Sequence, residues 1–161
     1  SAIAPGQIAT GVMFGAAARM VATAVAYTAF LYLFGAIPDA ATGWLAIFIA
    51  ILAGLAFGVP LMAYAASITD DKGQFALVQR FIFMPMFLFS GTFYPLATLP
   101  LWLQWIGWIS PLWHATEIGR WLTYGRPIEP LLLFVHFAYL IALTVGGFVI
   151  ARRLFERRLA A

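Results

Sequence analysis

An all-α integral membrane protein with about four transmembrane helices is the fold class this sequence predicts, on three observations. The 161 residues are 64% hydrophobic and only 9% charged, with a mean hydropathy of +0.95, whereas soluble domains average about 25% charged residues. A small domain keeps too much surface in contact with solvent to hide that much apolar area from water. Long uncharged runs recur at the length a bilayer requires, about 20 residues for a core of about 30 Å. The cationic residues and the tryptophans, finally, segregate to opposite sides of the predicted membrane.

Residues 20–37 form the first predicted span, uncharged and covering about 27 Å as a helix. Arg19 stands immediately before it. A central arginine costs about 2.5–3.5 kcal/mol on insertion scales, so Arg19 is expected at the inner boundary. Residues 5–18 are then a cytoplasmic or interfacial helix leading in. Residues 44–68 give the second span, and 131–151, with His136 the only ionisable group, the last. The region between is harder, because it is uncharged from 81 to 116 yet contains Pro85, Pro95, Pro100 and Pro111. A third span over 75–93 is expected, with Arg80 snorkelling to the headgroups, Asp70 and Asp71 close enough to pair with it, and a kink at Pro85.

Charge bias opposes a fifth crossing. With four spans and an inside start, Lys72, Arg80, Arg152, Arg153, Arg157 and Arg158 all lie inside, and only Arg120 and Arg126 outside. A fifth span would put the tail arginines outside, against the positive-inside rule. Residues 96–121 therefore enter the outer leaflet and return, or lie along it. Trp102, Trp105, Trp108, Trp113 and Trp121 crowd into that stretch and Trp44 opens the second span from the same side, where amphipathic rings favour the headgroup layer.

The chain contains no cysteine, which excludes disulfides and thiolate metal sites. A net charge of +3 is too small and too clustered to suggest nucleic acid. The opening Ser1-Ala2-Ile3 carries no signal pattern and reads as the start of a fragment or processed product. His114-x-x-Glu117 places two potential ligands on one helical face, but zinc usually takes three protein ligands or more. A polar cluster of His114 and Glu117 with Arg120 is the expected arrangement, and no metal site. His136 is expected in an interhelical hydrogen bond, with a proton relay as the alternative. Gly54 and Gly58 permit close helix approach. Met84-Pro85-Met86, set among phenylalanines, is either an adaptable surface for apolar cargo or ordinary lipid-facing filler. No nucleophile–base pair and no phosphate-binding Gly-Lys-Ser/Thr loop occurs, so a pore, transporter or scaffold is favoured over an enzyme.

The run from Phe83 to Leu96, with Ser90-Gly91-Thr92-Phe93-Tyr94-Pro95 at its centre, resembles the fifth-span signature of ABC-2 type permeases of the nodulation-factor and daunorubicin exporter kind. Leu99-Pro100-Leu101-Trp102-Leu103-Gln104 and the stretch Ser110-Pro111-Leu112-Trp113-His114-Ala115-Thr116-Glu117-Ile118-Gly119-Arg120 extend the match. The resemblance implies the last four of six spans and a re-entrant helical hairpin over 96–124 on the outer side, capping the exit path. It implies Glu117, Arg120 and His114, with Phe89, Phe93 and Tyr94, as substrate-path or gating residues. Gln7, Asp70, Asp71 and Lys72 are implied as contacts for an ATPase. It further implies an exporter of an amphipathic substrate (a lipid-linked saccharide, lipid or hydrophobic drug) in the bacterial inner membrane, working by alternating access. Its partners would be a second permease copy, membrane lipid and a separate nucleotide-binding subunit holding ATP and Mg, with no cofactor on this chain. The other classes are a passive channel or scaffold, and an intramembrane metalloenzyme using His114, Glu117 and His136.

Overall fold

The computed structural model describes residues 5–68, 70 and 72–159, which are overwhelmingly helical and contain no strand. Helix α1 runs unbroken from Pro5–Leu33, so the expected lead-in helix and the first span are one continuous helix through Arg19. Arginine is a good helix former; a charge can set membrane depth without interrupting the backbone. The helix stops at Leu33, short of Ile37, because Gly35 takes φ +66°. The Gly35 and Ala36 N–H groups donate to the Tyr32 and Leu31 carbonyls at 3.0 and 2.8 Å, a Schellman closure.

A 3₁₀ turn at Gly43–Leu45 leads into α2 (Ala46–Ser67). Met20 of α1 lies over the Gly54-x-x-x-Gly58 face, its Sδ 3.0 Å from where a Gly54 Cβ would stand. These glycines therefore pack helices within the chain. The last helix, α7 (Pro130–Leu159), makes its most extensive contact with α2. Ile49 and Leu140 share a buried cluster near one end, and Pro60 meets Gly147 farther along, so the two helices run in the same direction.

Between them the chain must return to its starting end. It does so through a rod made of α3 (Gln74–Val78), a π turn (Gln79–Phe83) and α4 (Met84–Leu88). The π turn has a direct cause. Pro85 lacks an N–H and its ring would press on the preceding turn; the helix widens so that the Met84 N–H reaches back five residues to the Gln79 carbonyl. The rod ends at Leu88 rather than at residue 93, a rise of about 22 Å. Three helical stretches are long and apolar enough to cross a bilayer, Phe14–Leu33, Gly43–Ser67 and Pro130–Leu154, whereas Gln74–Leu88 is shorter. No ion pair joins Arg80 to Asp70 among the described residues; Asp71 lies outside them.

After a 3₁₀ turn at Leu96–Thr98, α5 (Leu101–Trp108) and α6 (Pro111–Tyr124) form a helical hairpin. Pro111 sits at the start of α6, where a missing N–H costs nothing. Gly125 closes that helix at φ +63°. His114, Ala115, Ile118 and Leu122 form the buried stripe of α6. Leu101, Trp102, Trp105 and Trp108 of α5 remain exposed.

Candidate functional site

The hairpin is fastened to the end of the helix bundle where α1 finishes and both α2 and α7 begin. The Thr42 hydroxyl donates to the Leu122 carbonyl at 2.7 Å and the Asp39 N–H to the Thr123 carbonyl at 3.0 Å. On the other side, the Tyr139 hydroxyl of α7 donates to the Ile109 carbonyl in the α5–α6 turn at 2.6 Å. Trp44 and Trp121 therefore share one end of the molecule with the α5 tryptophans.

Two polar groups are built on α6. In the first, Glu117 Oε1 lies 3.0 Å from Arg120 Nη1, and Glu117 Oε2 lies 3.4 Å from Arg126 Nη1. Arg120 Nη2 donates to the Gly91 carbonyl. One carboxylate thus holds two guanidinium groups, and one of these reaches across to the loop after α4. Gly91 accepts that bond from a left-handed backbone, φ +79°, which glycine adopts without the penalty an L side chain incurs. Ser90 is fully buried beside it; its hydroxyl is 2.7 Å from both the Phe87 carbonyl and Thr92 Oγ1. A Gly91→Ala substitution is expected to lose roughly 1–2 kcal/mol from the backbone alone, with its Cβ 3.2 Å from Trp113 Cδ1. Thermal unfolding in detergent would register this as a lowered midpoint; an unchanged midpoint would contradict the strained-turn reading.

The second group is the histidine pair. His114 Nδ1 and His136 Nδ1 are 2.7 Å apart, and His114 Nε2 is 2.8 Å from the Trp108 carbonyl. His114 thus turns away from Glu117, and the expected His114–Glu117–Arg120 cluster is two separate constellations. Their i,i+3 spacing leaves the two side chains on neighbouring but divergent directions of α6, one toward α7 and the other toward the Gly91 loop. The Trp108 carbonyl can only accept, so His114 Nε2 carries a proton. In the neutral ring that leaves Nδ1 as an acceptor. His136 then donates from Nδ1. Tyr139 stacks on His114 with centroids 4.2 Å apart.

The remaining sequence candidates are scattered. Phe89 is half-buried at the end of α4, its carbonyl facing Gly107 of α5. Phe93 is 60% exposed and packs edge-on to Phe87, with Tyr94 half-buried next to it. Gln7 falls in the first turn of α1, and Asp70 and Lys72 are exposed in the loop after α2. These lie at the end of the helices remote from the hairpin. Trp113, Gly91 and Arg126 enter the sequence reading as a belt tryptophan, a signature glycine and an outer cation but not as site residues, and Tyr139 does not enter it.

These features define a multi-pass α-helical membrane protein with a polar-fastened hairpin closing one end. The sequence profile of the ABC-2 type transporter family matches residues 1–124, and the chain belongs to that family. It is 29% identical over 145 residues to nodulation protein J of Rhizobium leguminosarum bv. trifolii, covering 90% of this chain and 50% of that protein. It is also 34% identical over 67 residues to the probable multidrug ABC transporter permease YbhR of Escherichia coli K12, covering 40% of this chain and 18% of the relative. The chain thus spans at most about half the length of the curated relatives it matches. No solved structure matches it.

Proposed function

We propose that this chain is part of the permease subunit of an ATP-binding-cassette exporter that moves an amphipathic substrate outward across the bacterial cytoplasmic membrane. The observation that carries the reading is an apolar cleft of about 530 Å³ running beside the hairpin, between α1, α2, α4 and α6. Ala24, Tyr27, Ala53, Phe83, Met86 and Gly119 are among its walls. An apolar, open-sided cleft suits an alkyl chain or hydrophobic drug better than an ion, whose desolvation it could not offset. One of the two relatives is named a probable multidrug permease, a cargo class that such a cleft suits.

In this reading the rod 74–88 is a fourth crossing. Because α2 and α7 start at the same end, the chain must travel back between them, and the rod is the segment available to do so. The hairpin is then the re-entrant outer cap. Gln7, Asp70, Asp71 and Lys72 belong to the cytoplasmic side, where a nucleotide-binding partner would dock. That partner would hold ATP and Mg and hydrolyse the nucleotide, while this chain, paired with a second copy, alternates between inward- and outward-open states.

The metalloenzyme reading has less to stand on. The two histidine nitrogens sit at hydrogen-bond separation and engage each other, leaving no room for an ion between them. A channel differs from an exporter in its need for ATP. The full-length protein with its ATPase, reconstituted in vesicles, is expected to move a fluorescent amphipath only with hydrolysable nucleotide. Flux at the same rate without nucleotide would instead assign a channel.

A further inference from the structure

Two buried imidazoles and a half-buried indole meet where α6 crosses α7. The centroids of Trp113, His114 and His136 lie 4.9, 4.9 and 5.0 Å from one another, each pair edge-on. With both imidazoles neutral, the hydrogen-bond chain through them can run in only one direction: the Trp108 carbonyl accepts from His114 Nε2, and His114 Nδ1, 2.7 Å from His136 Nδ1, accepts from it. His136 Nε2 therefore ends the chain as a bare acceptor. His136 is only 1% exposed, and its Nε2 has no protein partner. A second buried side-chain atom is in the same position, the indole Nε1 of Trp113, which can only donate. Buried polar atoms are almost always bonded, to protein or to ordered water. One unmet donor and one unmet acceptor on adjacent rings call for a group that both accepts and donates.

We propose that these two nitrogens form a binding site for a single internal water molecule, which accepts from Trp113 Nε1–H and donates to His136 Nε2. Buried waters are held by two to four polar partners, and this site supplies two of opposite sense. The water completes a continuous path from the indole, through both imidazoles, to the Trp108 carbonyl, joining α5, α6 and α7. It also fixes the tautomer: a water donating to Nε2 keeps that nitrogen unprotonated and holds the His136 proton on Nδ1, facing His114. The site borders the Gly91 turn that Arg120 holds, since a Gly91 Cβ would stand 3.7 Å from Trp113 Nε1, and it does not rest on the export reading.

Solid-state NMR of ¹⁵N-labelled protein in hydrated bilayers near neutral pH tests the site. His136 Nε2 is expected to be an unprotonated, hydrogen-bonded nitrogen. Water magnetisation is expected to reach both it and the Trp113 indole N–H, while the fully buried Leu140 receives none. In Trp113→Phe, which keeps a ring in place, transfer to His136 is expected to fall to the level of Leu140. A proton on His136 Nε2 in the unsubstituted protein would overturn the assignment. So would transfer to neither nitrogen, or full transfer to His136 in Trp113→Phe. The first two readings need no variant, so a folding defect in the mutant leaves the proposal testable.

Discussion

Gly147→Val is expected to destabilise the helical bundle by about 2–3 kcal/mol, the upper range for overpacking a close contact. The contact between α2 and α7 is the most extensive among the described residues, and Gly147 approaches Pro60 closely within it. A Cβ at 147 would stand 2.8 Å from Pro60 Cδ, Cγ and N. One of those atoms is backbone and the other two belong to a closed ring, so no flexible side-chain end can move aside. Either the helices separate along their length or the last turns of one shift. Pro60 makes the contact doubly particular, since a proline inside a helix removes a backbone donor and here sets its ring into the notch left by the glycine. Gly146→Ala is the matched control, because a Cβ there meets nothing within 4 Å. It should be neutral or slightly stabilising, since alanine is the better helix former by about 1 kcal/mol. Thermal unfolding of both variants in the same detergent checks this; equal midpoints would show that the close approach contributes nothing.

Membrane character and the helix positions were legible because hydropathy and proline act locally. Of the expected second and fourth spans, 44–67 and 131–151 fall in the helical stretches Gly43–Ser67 and Pro130–Leu159, the latter running eight residues farther. Pro95, Pro100 and Pro111 punctuate the hairpin where chain direction changes. Less was legible where a signal carries only one kind of information. Arg19 marks the expected inner membrane boundary, but charge reports depth and not backbone conformation, so it does not tell that the lead-in and the first span form one helix, α1. Pro85 was read as a kink within a long span. Its effect is instead taken up by the π turn at Gln79–Phe83, and the rod stops five residues early because Ser90 and Gly91 close it with a side-chain bond and a left-handed turn.

The site was less legible, for a different reason. Helical spacing places His114 and Glu117 near one another, but only the packing of α7 decides which way each is drawn. His136 lies 22 residues from His114 in sequence, with the α6–α7 connection between them. No local pattern announces that pairing. Arg126 likewise joins Glu117 only because the chain turns at Gly125. Single-residue motifs named the participants; their partners were set by tertiary contacts.

Under the export reading, Arg120→Lys in the full-length protein is expected to reduce ATP-driven transport about tenfold or more, even though charge is conserved. Arg120 engages two partners in different directions at once, Glu117 Oε1 through Nη1 and the Gly91 carbonyl through Nη2. A planar guanidinium can do this because its donors are fixed in a fork, whereas a lysine ammonium is a single point on a flexible stem. Losing one charge-assisted bond costs roughly 1.5–3 kcal/mol, and tenfold in rate corresponds to about 1.4 kcal/mol. Under the export reading the cost falls on function, because the bond lost is the tie between the hairpin and the loop after α4, the two elements that would have to move as one cap. Glu117→Gln provides the complement. It preserves an acceptor for Arg120 while leaving Arg120 and Arg126 without a counter-charge in a region where the glutamate side chain is only 13% exposed. That variant is also expected to transport poorly. Both proteins should reach the membrane in normal amounts, since neither change touches the apolar stretches that insert. Transport at the unsubstituted rate by both variants would remove the Glu117–Arg120–Gly91 tie from the mechanism. Loss in Arg120→Lys with full activity in Glu117→Gln would assign the effect to the Gly91 bond alone.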